Sequence, residues 1–290
     1  MKETFRTRLL HFLNKRDSGK RRSGVKKQEL RFASDYLGRD VWISLLLPPG
    51  YPGFFQKYPV LFFNDGQDLE ALRLETTLNH LYAENKIEPF ILAAIHTDAH
   101  RMHDYGVAGI PDYKKRGAGA RKYTSFVLEE LIPFLFENYR ITAPGEGYAF
   151  AGCSLGGLSA FDIVWNHPGF FEKAGVFSGS FWWRSRPVRH DDPDADRIAH
   201  EMVYKGRYKK GLKFWLQTGT EDERDDRNHN GVIDSIDDTL DLIKALESKG
   251  YRQNEDIKYV EVIGGRHDQH TWARIMSDFL MWAFGKASGL

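Results

Sequence analysis

The sequence holds a single cysteine, Cys153, among 290 residues. An intramolecular disulfide framework and any multi-cysteine metal site are thereby excluded. Long apolar runs are missing too: the stretches 41–47 and 90–95 stop far short of the roughly 20 residues that a membrane-spanning helix needs. Charge of one sign is not in excess. The 41 Lys and Arg against 40 Asp and Glu leave +1, so no global field recruits nucleic acid. Lys2, Arg6 and Arg8 precede only the short apolar cluster Leu9, Leu10, Phe12 and Leu13, with no small-residue cleavage site behind it. A secretory signal is therefore not expected, and a cytoplasmic home is.

What is present is core-forming material: 20 Phe, 13 Tyr and 7 Trp, in a chain long enough to bury roughly 70–75% of its surface. A hairpin is expected near its start, where apolar residues of 29–32 and 41–45 flank the turn-like 35–40. Beyond Pro49, short apolar runs at 60–63, 91–96, 148–151, 174–178, 214–218 and 258–262 read as parallel strands buried on both faces. Helical spacing marks 123–137, 157–165, 235–248 and 272–284. The alternation predicts one doubly wound α/β domain over 1–290, with binding-loop insertions at 101–122 and 181–211. Lys15, Arg16, Lys20, Arg21, Arg22, Lys26 and Lys27 form a basic run without stacking aromatics, read as a solvated loop.

Gly152-Cys153-Ser154-Leu155-Gly156 is a G-x-S-x-G sequence between an expected strand and an expected helix. That is the context of a nucleophile elbow, in which small residues two before and two after the serine let strand and helix approach. Ser154 is the candidate nucleophile, the Leu155 N–H a candidate oxyanion donor, and Cys153 a packed hydrophobe facing away. A serine needs a base and an orienting carboxylate, which in α/β-hydrolases follow in the order Ser, Asp or Glu, His. Downstream, Glu221, Asp222 and Glu223 lie at the end of the strand near 214–218, and His267 and His270 follow the last strand. Asp222 is chosen as the acid, with its two neighbours in reserve. His267 is chosen as the base, because His270 falls at the start of the terminal helix.

The chain resembles the putative esterase family of α/β-hydrolases. This group includes siderophore trilactone, feruloyl and acetylxylan esterases, S-formylglutathione hydrolases and mycolyltransferases. The resemblance rests on Pro48-Pro49-Gly50-Tyr51, on Phe63-Asn64-Asp65-Gly66-Gln67 and the elbow, on Phe177-Ser178-Gly179-Ser180-Phe181-Trp182-Trp183, on Gly219-Thr220-Glu221-Asp222, and on His267-Asp268 with Trp272. It implies an α/β-hydrolase fold, a small-molecule ester as partner, and the backbone N–H of Gln67 as second oxyanion donor. It also implies that Arg101 and Asp104 lie near substrate. Trp182 and Trp183 could wall an aryl or sugar group or simply fill core. Two-step acyl transfer without a catalytic cofactor is the expected chemistry. Transfer to an alcohol and a non-catalytic binding protein stabilised by calcium are the alternatives.

One motif lies outside that resemblance. Asp226, Asn228 and Asn230 occupy positions one, three and five of a twelve-residue loop with Gly231 at six, the carbonyl of Val232 at seven, Asp234 at nine and Asp237 at twelve. Oxygen ligands around a glycine turn suit Ca²⁺ as a structural ion. The other reading is an acidic turn in which Ser235, with Asp238 three residues on, caps the following helix.

Overall fold

The computed structural model describes residues 24–286. Its strands are β1 (Lys26–Ser34), β2 (Arg39–Leu47), β3 (Val60–Asn64), β4 (Ile91–Ile95), β5 (Ala149–Cys153), β6 (Lys173–Phe177), β7 (Lys213–Glu221) and β8 (Ile257–Arg266). They form one sheet in the order β1-β2-β4-β3-β5-β6-β7-β8. β2 runs antiparallel to both β1 and β4, and every other pairing is parallel. The expected hairpin and strands are all there. The last two strands run longer than the apolar pattern suggested, because β7 and β8 pair through a bulge as far as Glu221 and Arg266. Of the basic run, Lys26 and Lys27 open β1, and the earlier members lie outside the described residues.

The helices are α1 (Leu74–Ala83), α2 (Arg101–Asp104), α3 (Ala120–Ser125), α4 (Ile132–Asn138), α5 (Leu155–Asn166), α6 (Ile198–Lys205), α7 (Asp234–Glu247) and α8 (Gln269–Phe284). The expected helix at 123–137 is real but not uniform: a π-helical stretch, Phe126–Leu131, joins α3 to α4. Pro133 sits in the first turn of α4, and its missing N–H removes a rung from the ordinary i to i−4 ladder, which explains the local change of winding.

Alternation along each strand feeds two cores, one on each face. Val60 and Phe62 of β3 join the cluster that includes Phe126, Leu131, Phe161 and Leu242 from the π-helical stretch, α5 and α7. Leu61 and Phe63 join the cluster that includes Leu78 of α1 and Met276 and Phe279 of α8. Helices on both faces leave only the strand ends open, and in a mostly parallel sheet ligands bind beyond the carboxyl ends. Among the described residues no helix is long and apolar enough to cross a membrane.

Candidate active site

Five strands deliver a polar residue immediately after their last residue: Asp65 after β3, Ser154 after β5, Ser178 after β6, Asp222 after β7 and His267 after β8. β3, β5, β6, β7 and β8 are consecutive and parallel in the sheet, so all five residues emerge along one edge.

Ser154 has φ 55° and ψ −124°, a conformation that costs a non-glycine residue on the order of 1–3 kcal/mol and is held by its surroundings. The holding contacts are visible. Its N–H donates to the Phe177 carbonyl at 2.8 Å, and its carbonyl accepts the Ser180 N–H at 3.2 Å. The two small residues are required sterically: a Cβ on Gly152 would lie 2.5 Å from the Gly156 carbonyl oxygen, and one on Gly156 would lie 2.7 Å from Oδ2 of Asp65. Asn64 adds a clamp by donating from Nδ2 to the Gly156 carbonyl at 2.7 Å. The Ser154 hydroxyl has the Ser180 hydroxyl 3.4 Å away. Leu155 opens α5, so its N–H has no preceding turn to bond and faces the end of the elbow. Cys153 is buried and free, and burial pushes its thiol up, which leaves it a packing residue.

Gln67 lies in the single 3₁₀ turn Gly66–Asp68, entered through Asp65 in the left-handed conformation. The first bond of that turn belongs to Asp68, whose N–H donates to the Asp65 carbonyl. The Gln67 N–H precedes it and starts the turn without an intrahelical partner. The Gln67 side chain is tied back: Nε2 donates to Asp65 Oδ1 at 3.2 Å, and Oε1 accepts the Thr97 N–H at 3.0 Å.

Of the three neighbouring carboxylates, Asp222 is the one whose charge acts on His267. Glu221 pairs with Arg266 in solvent. Glu223 is pushed up to about 7, first by burial, and sits beside Ser235 and Asp234. Oδ2 of Asp222 accepts the Gly219 N–H at 2.9 Å. Burial pushes the Asp222 carboxyl up and the His267 imidazole down, while their mutual attraction opposes both shifts. Arg101 adds to the lowering of His267. His270 is the second residue of α8, as its sequence position indicated.

The residues expected near substrate divide. Arg101 spends Nε and Nη2 on Asp65, so it braces the Gln67 turn, and its charge reaches His267. Asp104 is buried and paired with Arg39, and Trp183 is fully buried, as the core-filling alternative has it. Arg39 comes from the β1–β2 hairpin, a partner that no local pattern around Asp104 reveals. Trp182 keeps 37% of its surface exposed. The Arg116 guanidinium packs 5.0 Å from the Trp182 ring centre. Trp182 also lines a cavity of about 270 Å³ with Tyr113, Arg184, Glu223 and Arg227.

In the 226–237 loop, Asp226 accepts the N–H groups of Asn230 and Gly231, and the Asn228 and Asn230 amides both converge on Oδ2 of Asp237. Positions one, three, five and twelve are therefore linked by hydrogen bonds, with the asparagine amide nitrogens, not their oxygens, turned towards Asp237. Position nine departs, because Asp234 is engaged by the backbone and guanidinium of Arg227. Val232 donates its N–H to Asn230. Among the described residues no group of three His, Cys, Asp or Glu is placed to hold a metal. The capping reading is also corrected: α7 begins at Asp234 with no side-chain cap, and Ser235 is buried within its first turn.

Asn64, Asp65, Ser178 and Ser180 had no role assigned from sequence. For Asn64, Asp65 and Ser178 the signal was a polar residue at the end of an otherwise apolar strand, where burial demands a partner.

A mostly parallel sheet with this strand order, helices on both faces and a strained serine at the end of β5 defines an α/β-hydrolase. Residues 34–282 match the family model described as putative esterase, and the chain belongs to that family; carboxylic-ester hydrolysis is its class of reaction. The uncharacterized protein YbbA of Bacillus subtilis is 23% identical over 248 residues, covering 84% of this chain and 92% of its own. The endo-1,4-beta-xylanase/feruloyl esterase of Xylanibacter ruminicola is 27% identical over 181 residues, 58% of this chain and 23% of that one. Among solved structures, the enterobactin esterase FES from Shigella flexneri superposes with a TM-score of 0.70 at 19% identity. That match takes in 89% of this chain and 58% of FES, so the chain spans little more than half of that protein.

Proposed function

We propose that the chain hydrolyses carboxylic esters through an acyl-enzyme, with Ser154 as nucleophile, His267 as general base and Asp222 as its orienting acid. The observation that carries this reading is Ser154 at φ 55° on the edge where Asp222 and His267 also emerge. His267 takes the Ser154 proton, the alkoxide attacks the ester carbonyl, and the N–H groups of Leu155 and Gln67 receive the oxyanion. His267 then protonates the leaving alcohol. Water activated by the same imidazole releases the acid.

Esters of aromatic acids are the proposed substrates. Trp182 at the edge of its cavity supports this, as do relatives named for ferulic acid and enterobactin esterases. Hydrolysis of a panel of p-nitrophenyl and aryl-acid methyl esters, with trapping of the acylated serine by mass spectrometry, tests it. Turnover lost in Ser154→Ala is the expected result, and undiminished turnover in that variant refutes the assignment. Added alcohols, with product analysis, separate water from an alternative acyl acceptor.

The proposal extends to a structural Ca²⁺ held by Asp226, Asn228, Asn230 and Asp237, supported by their convergence. It also extends to a single domain working in the cytoplasm, which fractionation of cells tests.

A further inference from the structure

Trp272 stands on the first turns of α8 and is buried. Its ring meets the His267 imidazole edge to face, 5.3 Å between centres at 77°, and its Nε1–H donates to the Ser178 hydroxyl at 2.9 Å. Its own backbone N–H donates to the Asp268 carbonyl at 3.2 Å, which ties it to the residue after the base. Ser178 is nearly as constrained. It follows β6 with φ 45°, is 2% exposed, and donates its N–H to the Gln217 carbonyl of β7 at 2.8 Å.

An indole N–H can only donate, so Ser178 Oγ accepts from Trp272 and its own proton must point elsewhere. The carboxylate near that hydroxyl is Asp222, whose ionised form Ser178 favours. Oδ1 of that carboxylate is fully buried and has no hydrogen-bond partner among the described residues, while Oδ2 is taken by Gly219. The contact favours the ionised acid against the burial that disfavours it. One tryptophan thus packs its ring against His267 and donates its N–H to the hydroxyl of Ser178.

We propose that Ser178 and Trp272 are positioning residues that hold the Asp222–His267 pair in its working geometry, a role that rests on the triad reading above. Neither touches the reacting atoms. The groups that face the pair are Asp222 and His267 themselves, Arg101, Asp268 and Tyr259.

The test uses Ser178→Gly, which removes the hydroxyl yet accepts φ 45°, and Trp272→Phe, which keeps an aromatic ring against His267 but removes the N–H. Each is expected to lower kcat roughly 10- to 100-fold with KM little changed, the size of effect that misplacing a catalytic group produces. The double variant is expected to be no slower than Ser178→Gly alone, because both break one chain of contacts. Additive losses, or wild-type kcat in either folded variant, overturn the proposal. Circular dichroism and melting temperature confirm that the variants fold, and Lys205→Ala, on the exposed side of α6 and remote from this chain of contacts, serves as a handling control. Ser154→Ala and His267→Gln run alongside. If they turn over like wild type, the triad itself fails; if they are dead while Ser178→Gly and Trp272→Phe keep wild-type kcat, only the positioning role fails.

Discussion

Arg101 grips Asp65 with two hydrogen bonds, Nε to Oδ1 at 2.7 Å and Nη2 to Oδ2 at 2.9 Å. Asp65 is 4% exposed and left-handed at φ 60°, and it also accepts from Thr97 and from the side chain of Gln67. The turn that presents the Gln67 N–H is thus built around one carboxylate. Asp65→Asn keeps the size of the side chain but loses the charge that organises four donors. The expected loss in kcat is about 10²-fold, comparable to removing one oxyanion donor, with KM nearly unchanged. Steady-state kinetics on an aryl ester check it; a rise in KM with intact kcat would mean that Asp65 serves binding instead.

The same arginine acts on His267, the proposed base. His267 is lowered first by burial and then by Arg101, against the pull of Asp222. A base works when neutral, so the acid limb of kcat/KM lies below the ordinary histidine value of about 6.5. Removing the cation raises the imidazole pKa. Arg101→Gln is expected to shift the limb to higher pH, losing activity at pH 6 that it retains at pH 8. An unmoved limb would show that the arginine does not feel His267.

Gly152→Ala addresses the elbow by packing alone. The new methyl would sit 2.5 Å from the Gly156 carbonyl oxygen and 3.0 Å from Asn64 Cβ, with backbone on one side and a clamped asparagine on the other. Overpacking of this kind costs about 1–3 kcal/mol. A drop of several degrees in melting temperature is expected, together with loss of esterase activity as Ser154 moves. Wild-type stability would mean that strand and helix separate more easily than their contacts indicate.

That elbow was legible in the sequence because its chemistry is local: five consecutive residues between a strand pattern and a helix pattern specify the turn. The placement of Asp222 and His267 at strand ends was legible for a related reason, since each comes soon after a short strand-like run. Contacts between distant segments were not. Asp104 finds Arg39 across 65 residues, Trp272 finds Ser178 across 94, and Asn64 finds Gly156 across 92, and no window of sequence contains either pair member's environment. Trp182 and Trp183 are adjacent and chemically identical, yet one is partly exposed and the other fully buried. Which ring turns inward is decided by Gly106 and Gly117, whose bare backbones make room for Trp183.

His200 gives a prediction about stability. Burial, aided by Arg197 and Arg184, pushes its imidazole down to about 3, and Nε2 bonds the Asp238 carbonyl at 2.7 Å. The folded chain holds it neutral, whereas the unfolded chain protonates it near 6.5. Its contribution is therefore complete above pH 6.5 and lost progressively as pH falls from there towards 3, with a slope approaching about 1.4 kcal/mol per pH unit. Urea unfolding of wild type and His200→Gln between pH 7.5 and 5 isolates this, because the other titrating groups are common to both. Parallel stability curves would refute it.

The 226–237 loop offers a choice between two ways of balancing charge. Asp234 is neutralised by Arg227, which also reaches Asp194 and Asp238, but the hydrogen bonds to Asp226 and Asp237 come from N–H groups of the loop, with the Asp237 charge acting also on Lys244. Amide donors compensate a carboxylate less completely than a divalent cation does, and the asparagine side chains can turn their oxygens inward to share the ion. Calcium at saturating concentration is thus expected to raise the melting temperature, since a ligand of the folded state adds RT ln(1 + [L]/Kd). Because the loop begins four residues after Asp222, chelation is expected to lower the esterase rate as well as stability, and Asp226→Asn with Asp237→Asn should abolish both responses. If exhaustive chelation changes neither melting temperature nor rate, the loop is held by Arg227 and its own backbone alone, and the calcium reading falls while the triad stands.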